Sequence, residues 1–558
     1  MLKPKLLITL KDYTKEKFIS DLMAGLIVWV VALPMAIAFA IAGGVSPEKG
    51  IITAIIAGFL ISALGGTRVQ IGGPAGSFVV IMCIVLHKFG HQGLTIATIM
   101  AGVFLILMGL ARFGSVIKFI PYPVIAGFTS GIAVFIFSSQ VKDFLGLTIK
   151  EVPIEFIPKW IEYFKHFDTI DFYDLGIGII SLVIILVWQR YFKKIPGTLI
   201  AIIGTTILVK LFNLPVDTIG SRFGQIDANF SLITLPQVNF SLVAQLIGPA
   251  FTIAILASIE ALMSAVVADG MIGTKHNSNM ELIANGVANV VSPLFGGIPA
   301  AGAVARTATN IKNGARTPIA GIIQALILLL VMVFFGKLAS LIPIPTLAAI
   351  LMVVAYNMSE WRSFVSLLKS PRSDVIVLLL TFGLTVIFDV TIALEVGLLM
   401  SVFLFMRRMA LVTNIEYITG DDDEQPNDVE IDIKIPECVD IYEINGPLFF
   451  GAAYKFEEAI GVIKHRPKVL IIQMRNVPAI DSTGIHTLKQ IITKCQKQNI
   501  VVMIAGLQRQ PRKTLIQTGI VKQVGRANIS SNLDKLLLRA QTIVQNTNLQ
   551  PKKTMIAS

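Results

Sequence analysis

Two ionisable residues sit where the sequence is otherwise apolar. Glu260, in Ser258-Ile259-Glu260-Ala261, falls inside an apolar run over 243–268. Arg306 falls in Gly296 to Pro318, GGIPAAGAVARTATNIKNGARTP, a polar, Gly- and Pro-interrupted stretch between long apolar runs. An unpaired cation at the bilayer centre costs at least ~2.5 kcal/mol, and ionisable residues at that depth are functional by default. An arginine held there can counter an anion, and a carboxyl that takes up a proton can couple the anion to that proton. Ser264, one turn from Glu260 on the same helical face, can bind a cation or hydrogen-bond to Glu260. The competing readings are structural: Arg306 tied to the carbonyls of a re-entrant loop, and Glu260 permanently neutral or paired with Arg306.

Backbone that cannot complete a helix in lipid must face protein or a water-filled cavity. The spacing predicts an unwound entry ending over Pro299 to Gly302 and a short helix beginning near Ala303, with its free N–H groups and positive dipole end in the membrane interior. Such an end attracts anions. Ile71 to Val80, IGGPAGSFVV, repeats the pattern of Gly297 to Ala305, GIPAAGAVA. Two broken segments in corresponding halves point to a transporter site near the midplane. Phe39 and Phe78 lie near the breaks. Gly72 with Gly76, and Gly127 with Gly131, match the small-xxx-small spacing of close helix packing.

With 558 residues, 54% apolar and 15% charged content and a mean hydropathy of +0.75, the chain is a polytopic helical membrane protein. Its net charge of +12 resides in short loops beside apolar segments, so topology explains it and no nucleic-acid partner is expected. Cys83, Cys438 and Cys495 form no CxxC, which implies neither disulfides nor a zinc site. Loop histidines such as His87 and His276 are expected to be solvated. No metal and no cofactor is called for. The chain lacks GxxxxGKS/T, HExxH and GxSxG, so neither an ATP-driven pump nor a hydrolase is supported.

Lys3, Lys5, Lys11, Lys15 and Lys17 precede the first span, near Ile19 to Ala42, which places the N-terminus in the cytoplasm without a cleavable signal. Counting on to a last run near 391–406 gives about 14 segments, several shorter than a straight span needs. Alternation puts Arg68, Arg112, Lys118, Lys193, Lys194, Lys275, Arg316, Arg407 and Arg408 inside. Lys142 to Asp174 becomes an acidic outer loop, and Asp389 and Glu395 flank an outer turn. The expected divisions are a cytoplasmic segment over 1–18, a transporter domain over 19–412, an acidic linker over 413–428, a cytoplasmic α/β domain over 429–545 and a disordered tail over 546–558. In the α/β domain, strands are expected at Val429–Ile435, Val439–Ile444, Val469–Met474 and Ile500–Ala505. Helices are expected at Tyr454–Lys464, Gly484–Gln498 and Asn532–Val544. Ala479-Ile480-Asp481-Ser482-Thr483-Gly484 opens the middle helix as an N-cap, an anion nest or a phosphorylation site.

Ala32-Leu33-Pro34, Gly72-Gly73-Pro74, Ser258-Ile259-Glu260-Ala261, Gly273-Thr274-Lys275-His276, Ala305-Arg306-Thr307 and Gly314-Ala315-Arg316-Thr317-Pro318 together resemble the SulP family of sulfate permeases and anion exchangers, over nearly the whole chain. The C-terminal unit resembles the STAS domain, and Asp481-Ser482-Thr483-Gly484 matches the peptide whose serine is phosphorylated in anti-sigma-factor antagonists. The resemblance implies a 7+7 inverted repeat with a core group and a gate group of helices, the core moving as an elevator. It implies half-helices at segments three and ten, with the anion between their N-termini near Gly76, Ser77, Phe78, Ala303 and Val304, countered by Arg306. Glu260, with Ser264, takes the place of the coupling acid, for a proton rather than sodium. A homodimer in the inner membrane, a cytoplasmic partner for the STAS domain and regulation at Ser482 are further implications.

Many sulfate-type members carry Gln after the first-span proline, whereas Met35 follows Pro34 here. In this, in Asn357-Met358-Ser359-Glu360 and in Phe405-Met406-Arg407-Arg408-Met409, the chain is similar to the DauA-like dicarboxylate branch. The expected function is proton-coupled symport of sulfate or a related anion, with a four-carbon dicarboxylate or bicarbonate as alternatives. An anion channel or a non-transporting anion-sensing regulator stands as the alternative of another class.

Overall fold

Lipid offers backbone groups no partner, so each apolar run must satisfy its own N–H and C=O groups by forming a helix. The computed structural model describes residues 2–115, 120–191, 196–224, 240–388, 390–418, 435–436, 438–461 and 467–548. The chain divides into two units, Met1–Ser401 and Val402–Ser558. The first contains α1 (Lys15–Ala42), α2 (Pro47–Leu64), α3 (Phe78–Leu110), α4 (Tyr122–Leu145), α5 (Phe156–Lys165), α6 (Phe172–Tyr191) and α7 (Gly197–Leu211). It continues with α8 (Phe240–Ile272), α9 (Ser278–Val291), α10 (Val304–Lys312), α11 (Ile319–Ala339), α12 (Ile344–Met358) and α13 (Arg372–Ile387), and α14 (Val390–Val412) runs on past its end. Seven of the described helices are long and apolar enough to cross a membrane.

α3 itself is two helical stretches that meet at a sharp kink at Gly90, where φ is 66° and ψ −170°, a conformation that glycine adopts readily. Two local expectations change. The stretch from Lys142 to Asp174 is not all loop, because it holds the amphipathic helix α5. His276 is not solvated: its side chain is 5% exposed and its Nδ1 lies 2.7 Å from Asp269 Oδ2. Gly127 and Gly131 do mark close packing, since an added Cβ would stand 2.6 Å from Leu378 O and from Thr385 Cβ on α13. Lys118, Lys193, Lys194 and Asp389 lie outside the described residues.

Two stretches decline to form helix. β1 (Gly72–Pro74) and β2 (Ala300–Gly302) pair antiparallel, with Gly72 opposite Gly302, Gly73 opposite Ala301 and Pro74 opposite Ala300. The expected unwound entry is thus a strand, and Gly72 lies on a strand rather than a helix face. All six residues are buried. β1 leads into α3 and β2 into α10. Opposite chain directions at this crossing are what equivalent segments of an inverted repeat produce.

So short a ladder leaves backbone groups over, and side chains take them. Asn289 accepts from Ala300 N at 2.9 Å and donates to Ala300 O at 2.7 Å. Asn285 accepts from Gly302 N at 3.2 Å and donates to Glu281 O at 2.8 Å. Glu281 Oε2 accepts from Gly66 N and Thr67 Oγ1, each at 2.8 Å. These three side chains repeat at every turn of α9 and are all fully buried. Thr53 accepts from Ile298 N at 2.7 Å, and Asn310 donates to Val69 O at 2.9 Å. At the start of α11, the buried Asp21 of α1 accepts from Arg316 N at 2.8 Å, Thr317 N at 3.1 Å and the Thr317 hydroxyl.

The second unit is a five-stranded sheet in the order β3 (Asn414–Ile418), β4 (Val439–Asn445), β5 (Val469–Asn476), β6 (Val501–Ala505), β7 (Ile529–Ser530). The β3–β4 pair is antiparallel and the rest are parallel. One face packs Phe456, Leu488 and Leu515, and the other packs Leu536, Leu537 and Ala540. β3 occupies part of the stretch read as linker. The acidic residues 419–427, the strand expected over 429–434 and the tail beyond 548 lie outside the described residues. The last helix, Leu533–Asn548, runs past the expected tail boundary.

Replacing Asn289 by Leu strands the N–H and C=O of Ala300, so a loss of about 2 kcal/mol or more in unfolding free energy is expected. Denaturant unfolding of the purified protein checks this. Asn289→Asp, which keeps the acceptor but sets a carboxylate oxygen against the carbonyls of Asn285 and Ala300, should be no less destabilising.

Candidate functional site

The two broken segments bring their following helices to one place. Ser77 precedes α3 and Ala303 precedes α10, and neither gives its helix a side-chain cap. At α10 the first-turn N–H groups, Val304 to Arg306, have no intrahelical acceptor by geometry. At α3, Phe78 N and Val79 N turn back onto Ala75 O and Gly76 O, at 3.3 and 3.1 Å.

Arg306, one turn into α10, is fully buried and donates through Nη2 to the carbonyl of Pro74 in the opposite strand. Its Nε and Nη1 have no hydrogen-bond partner among the described residues. Gly73, at φ +147°, makes room for it, since a Cβ there would stand 2.5 Å from Arg306 Nη1. Glu260, half-buried on α8, lies within electrostatic reach of Arg306 and beside the Ser77 hydroxyl. Glu260 Oε2 and Ser77 Oγ are likewise shielded and unpartnered. A cluster with two unspent guanidinium donors, an unspent hydroxyl and an ionisable carboxyl can hold an anion and exchange a proton. Guanidinium geometry suits an oxyanion.

The structure brings Gly76, Ser77, Arg306 and Glu260 together, though not every expected residue behaves as anticipated. Ser264 donates to Thr307 Oγ1 at 2.9 Å rather than to Glu260. Thr307 also accepts from Ile71 N at 3.0 Å, so this pair ties α8 to both broken segments. Phe78 is fully buried within the main apolar core, whereas Ala303 and Val304 are half-buried. The Phe39 ring lies against Gly76, where an added Cβ would stand 3.1 Å from its Cε1. Sequence reasoning missed Asp21, Thr307 and the Glu281-Asn285-Asn289 series. The last had a legible signal, three amide or acid side chains at i, i+4 and i+8 in an apolar helix.

A sheet-bearing C-terminal unit and a helical unit with two crossed, broken segments can be compared with known proteins. The model of the sulfate permease family matches residues 18–381, and that of the STAS domain matches residues 430–536. The chain belongs to the sulfate permease family. It is 41% identical to the Bacillus subtilis protein "Putative sulfate transporter YvdB", over 94% of this chain and 98% of that one. It is 29% identical to the bicarbonate transporter BicA of Picosynechococcus, over 95% and 94% of the two chains. The murine Slc26a9 anion transporter, solved in the inward-facing state, shares the fold at a TM-score of 0.87 and 20% identity, covering 97% of this chain and 94% of that one. The transmembrane domain of a cyanobacterial BicA matches at a TM-score of 0.61 and 31% identity, covering 70% of this chain and 98% of that one. This sulfate permease family member is therefore a multi-pass membrane transporter with a 7+7 inverted repeat, two half-helices and a C-terminal STAS domain.

In the STAS domain Asp481 supplies the N-cap, accepting from Gly484 N at 2.7 Å. Ser482 is exposed at the first helical position, so its hydroxyl is not the cap.

Because the added methyl of Gly73→Ala collides with Arg306, the two positions should be energetically coupled. A double-mutant cycle with Arg306→Ala, read by denaturant unfolding, should show a coupling of about 1–3 kcal/mol. Strictly additive losses would refute the contact.

Proposed function

We propose that the protein is a proton-coupled secondary active transporter that carries sulfate or a related anion across the inner membrane. The observation that supports this most is the buried Arg306, with donors to spare, beside Glu260. In this reading Gly76, Ser77, Phe78, Ala303, Val304 and Arg306 form the anion site between two half-helix ends. Glu260 is the coupling group, with Ser264 behind it. While both are ionised, Arg306 and Glu260 cancel, and an anion gains little. Protonation of Glu260 releases the arginine for the anion, so the two load together. An elevator movement of the core would carry them across. The N- and C-termini are cytoplasmic, the protein is a homodimer, and the STAS domain meets a cytoplasmic protein partner. The 1–18, 19–412, 413–428, 429–545 and 546–558 divisions serve as its working boundaries.

Bicarbonate is the second reading, favoured by the two BicA matches. A four-carbon dicarboxylate is the third, favoured by Met35. Uptake of labelled sulfate, bicarbonate and succinate into proteoliposomes, with and without an inward proton gradient, separates them. Gradient-driven uptake that falls at least tenfold in Glu260→Gln is expected. Uptake indifferent to both gradient and substitution would point to exchange or a channel. Binding without flux would point to a regulator.

Ser482 is the regulatory position in this reading. Its exposure at a helix start suits an added phosphate, which the dipole favours. Ser482→Asp should change the uptake rate and leave the anion Kd unaltered. An unchanged rate would remove the site.

A further inference from the structure

A cavity of about 470 Å³ lies where α1 finishes, against α3, α4 and α5. Lys159 and Tyr163, one turn apart on one face of α5, both line it and are 3% and 2% exposed. The Tyr163 hydroxyl has no hydrogen-bond partner among the described residues. No carboxylate pairs with Lys159 among the described residues, and its Nζ stands 4.0 Å over the Phe135 ring. Burial pushes Lys159 down to about 8, and an anion bound beside the ammonium would favour its charged form.

The other charged groups at the cavity are already engaged. Asp143 faces Arg222 at 2.8 Å, and Lys142 donates to Ile149 O at 2.7 Å. The Cys83 thiol, beside the lysine, donates to Ala42 O at 3.3 Å. Lys142 and Arg222 thus have Asp143 and, nearby, Asp217 and Asp174 to balance them, whereas Lys159, the most buried of the three cations, has no carboxylate partner among the described residues. Burying an ion unpaired costs several kcal/mol, and a cavity beside it leaves room for the missing charge.

We infer that this cavity is a second anion site, for a small inorganic anion or carboxylate, with the Lys159 ammonium supplying charge and the Tyr163 hydroxyl a hydrogen bond. A wider cavity of about 1160 Å³ shares Gly44, Phe135 and Val152 with it and gives an anion room to approach. Cys83 lies six residues along α3 from Ser77, a rise of roughly 9 Å, so the site stands about two turns from the broken segments. It holds an anion on the face read as outer, ahead of the central cluster. It needs only the geometry of α5 and not the transport reading.

Trp160, adjacent to Lys159 and with its ring 5.8 Å from that of Tyr163, reports on the site. In full-length protein with Trp29, Trp188 and Trp361 replaced by Phe, Trp160 is the remaining tryptophan. Iodide, both an anion and a quencher, should quench it saturably, and sulfate should compete. Lys159→Met should weaken the iodide affinity tenfold or more, while quenching by neutral acrylamide stays the same. Tyr163→Phe keeps the ring and should weaken iodide by roughly tenfold, as for a lost hydrogen bond to a charge. It decides the matter if Lys159→Met does not fold. Linear, sulfate-insensitive quenching in the unsubstituted site, or saturation unchanged in the folded variants, would overturn the inference. No flux is measured, so a failed uptake experiment leaves this result standing.

Discussion

The first unit depends on how two stretches of non-helical backbone are satisfied where water is scarce. An unpaired N–H or C=O in that setting costs several kcal/mol. β1 and β2 answer by pairing with each other, Gly72 to Pro74 against Ala300 to Gly302, and the α9 amides take up groups the ladder leaves over. Because equivalent segments of the two halves meet at this crossing, neither half can finish its backbone hydrogen bonding alone. Arg306 belongs to the same solution, since one of its donors goes to the Pro74 carbonyl. The cluster's position thus follows from backbone bookkeeping and not from a loop placed for the purpose.

The supporting side chains have a common logic. Glu281, Asn285 and Asn289 each accept from a backbone N–H outside α9, and Asn285 and Asn289 also donate to the backbone carbonyl of the preceding member of the series, so moving one disturbs the others. Thr307 links Ser264 on α8 to Ile71 at the approach to β1. Asp21 does the equivalent at the other end of α10, binding the turn before α11 back to α1. Networks of this kind are stiff, though not every member is satisfied: among the described residues Gln70 Oε1 and Asn310 Oδ1 also lack partners. At the cluster Ser77 Oγ, Glu260 Oε2 and two Arg306 nitrogens are left over. Spare polar capacity gathered around a buried arginine is what the proposed anion site rests on.

Much of this was legible in the sequence. Apolar runs located the helices, the Gly/Pro breaks located β1 and β2, and an ionisable residue at depth located Arg306 and Glu260. Periodicity could not show that the broken segments form a ladder, because pairing between residues 72 and 302 is a tertiary event. Nor could it show Thr307 as a hub, since a threonine one position past an arginine carries no distinctive pattern. The amphipathic helix α5 was hidden by its charges, which resemble those of a loop until Lys159 and Tyr163 are seen to face inward. His276 was misread for a related reason. A lone histidine in a polar loop gives no hint that Asp269, seven residues earlier, waits at 2.7 Å.

Charge neutrality connects these observations to selectivity. In the function proposed above, with a single arginine in the cluster, the charge carried by Glu260 sets how much anionic charge can be added at little cost. With Glu260 ionised the cluster is already neutral, and any anion is in excess. With Glu260 protonated, a monovalent anion restores neutrality, while a divalent one leaves a residue that the helix-end N–H groups of α10 must absorb. Sulfate and bicarbonate therefore make different demands on the same atoms. In that reading, selectivity between them rests less on Arg306, which would serve both, than on the first-turn donors at Val304 to Arg306 and the hydroxyl of Ser77.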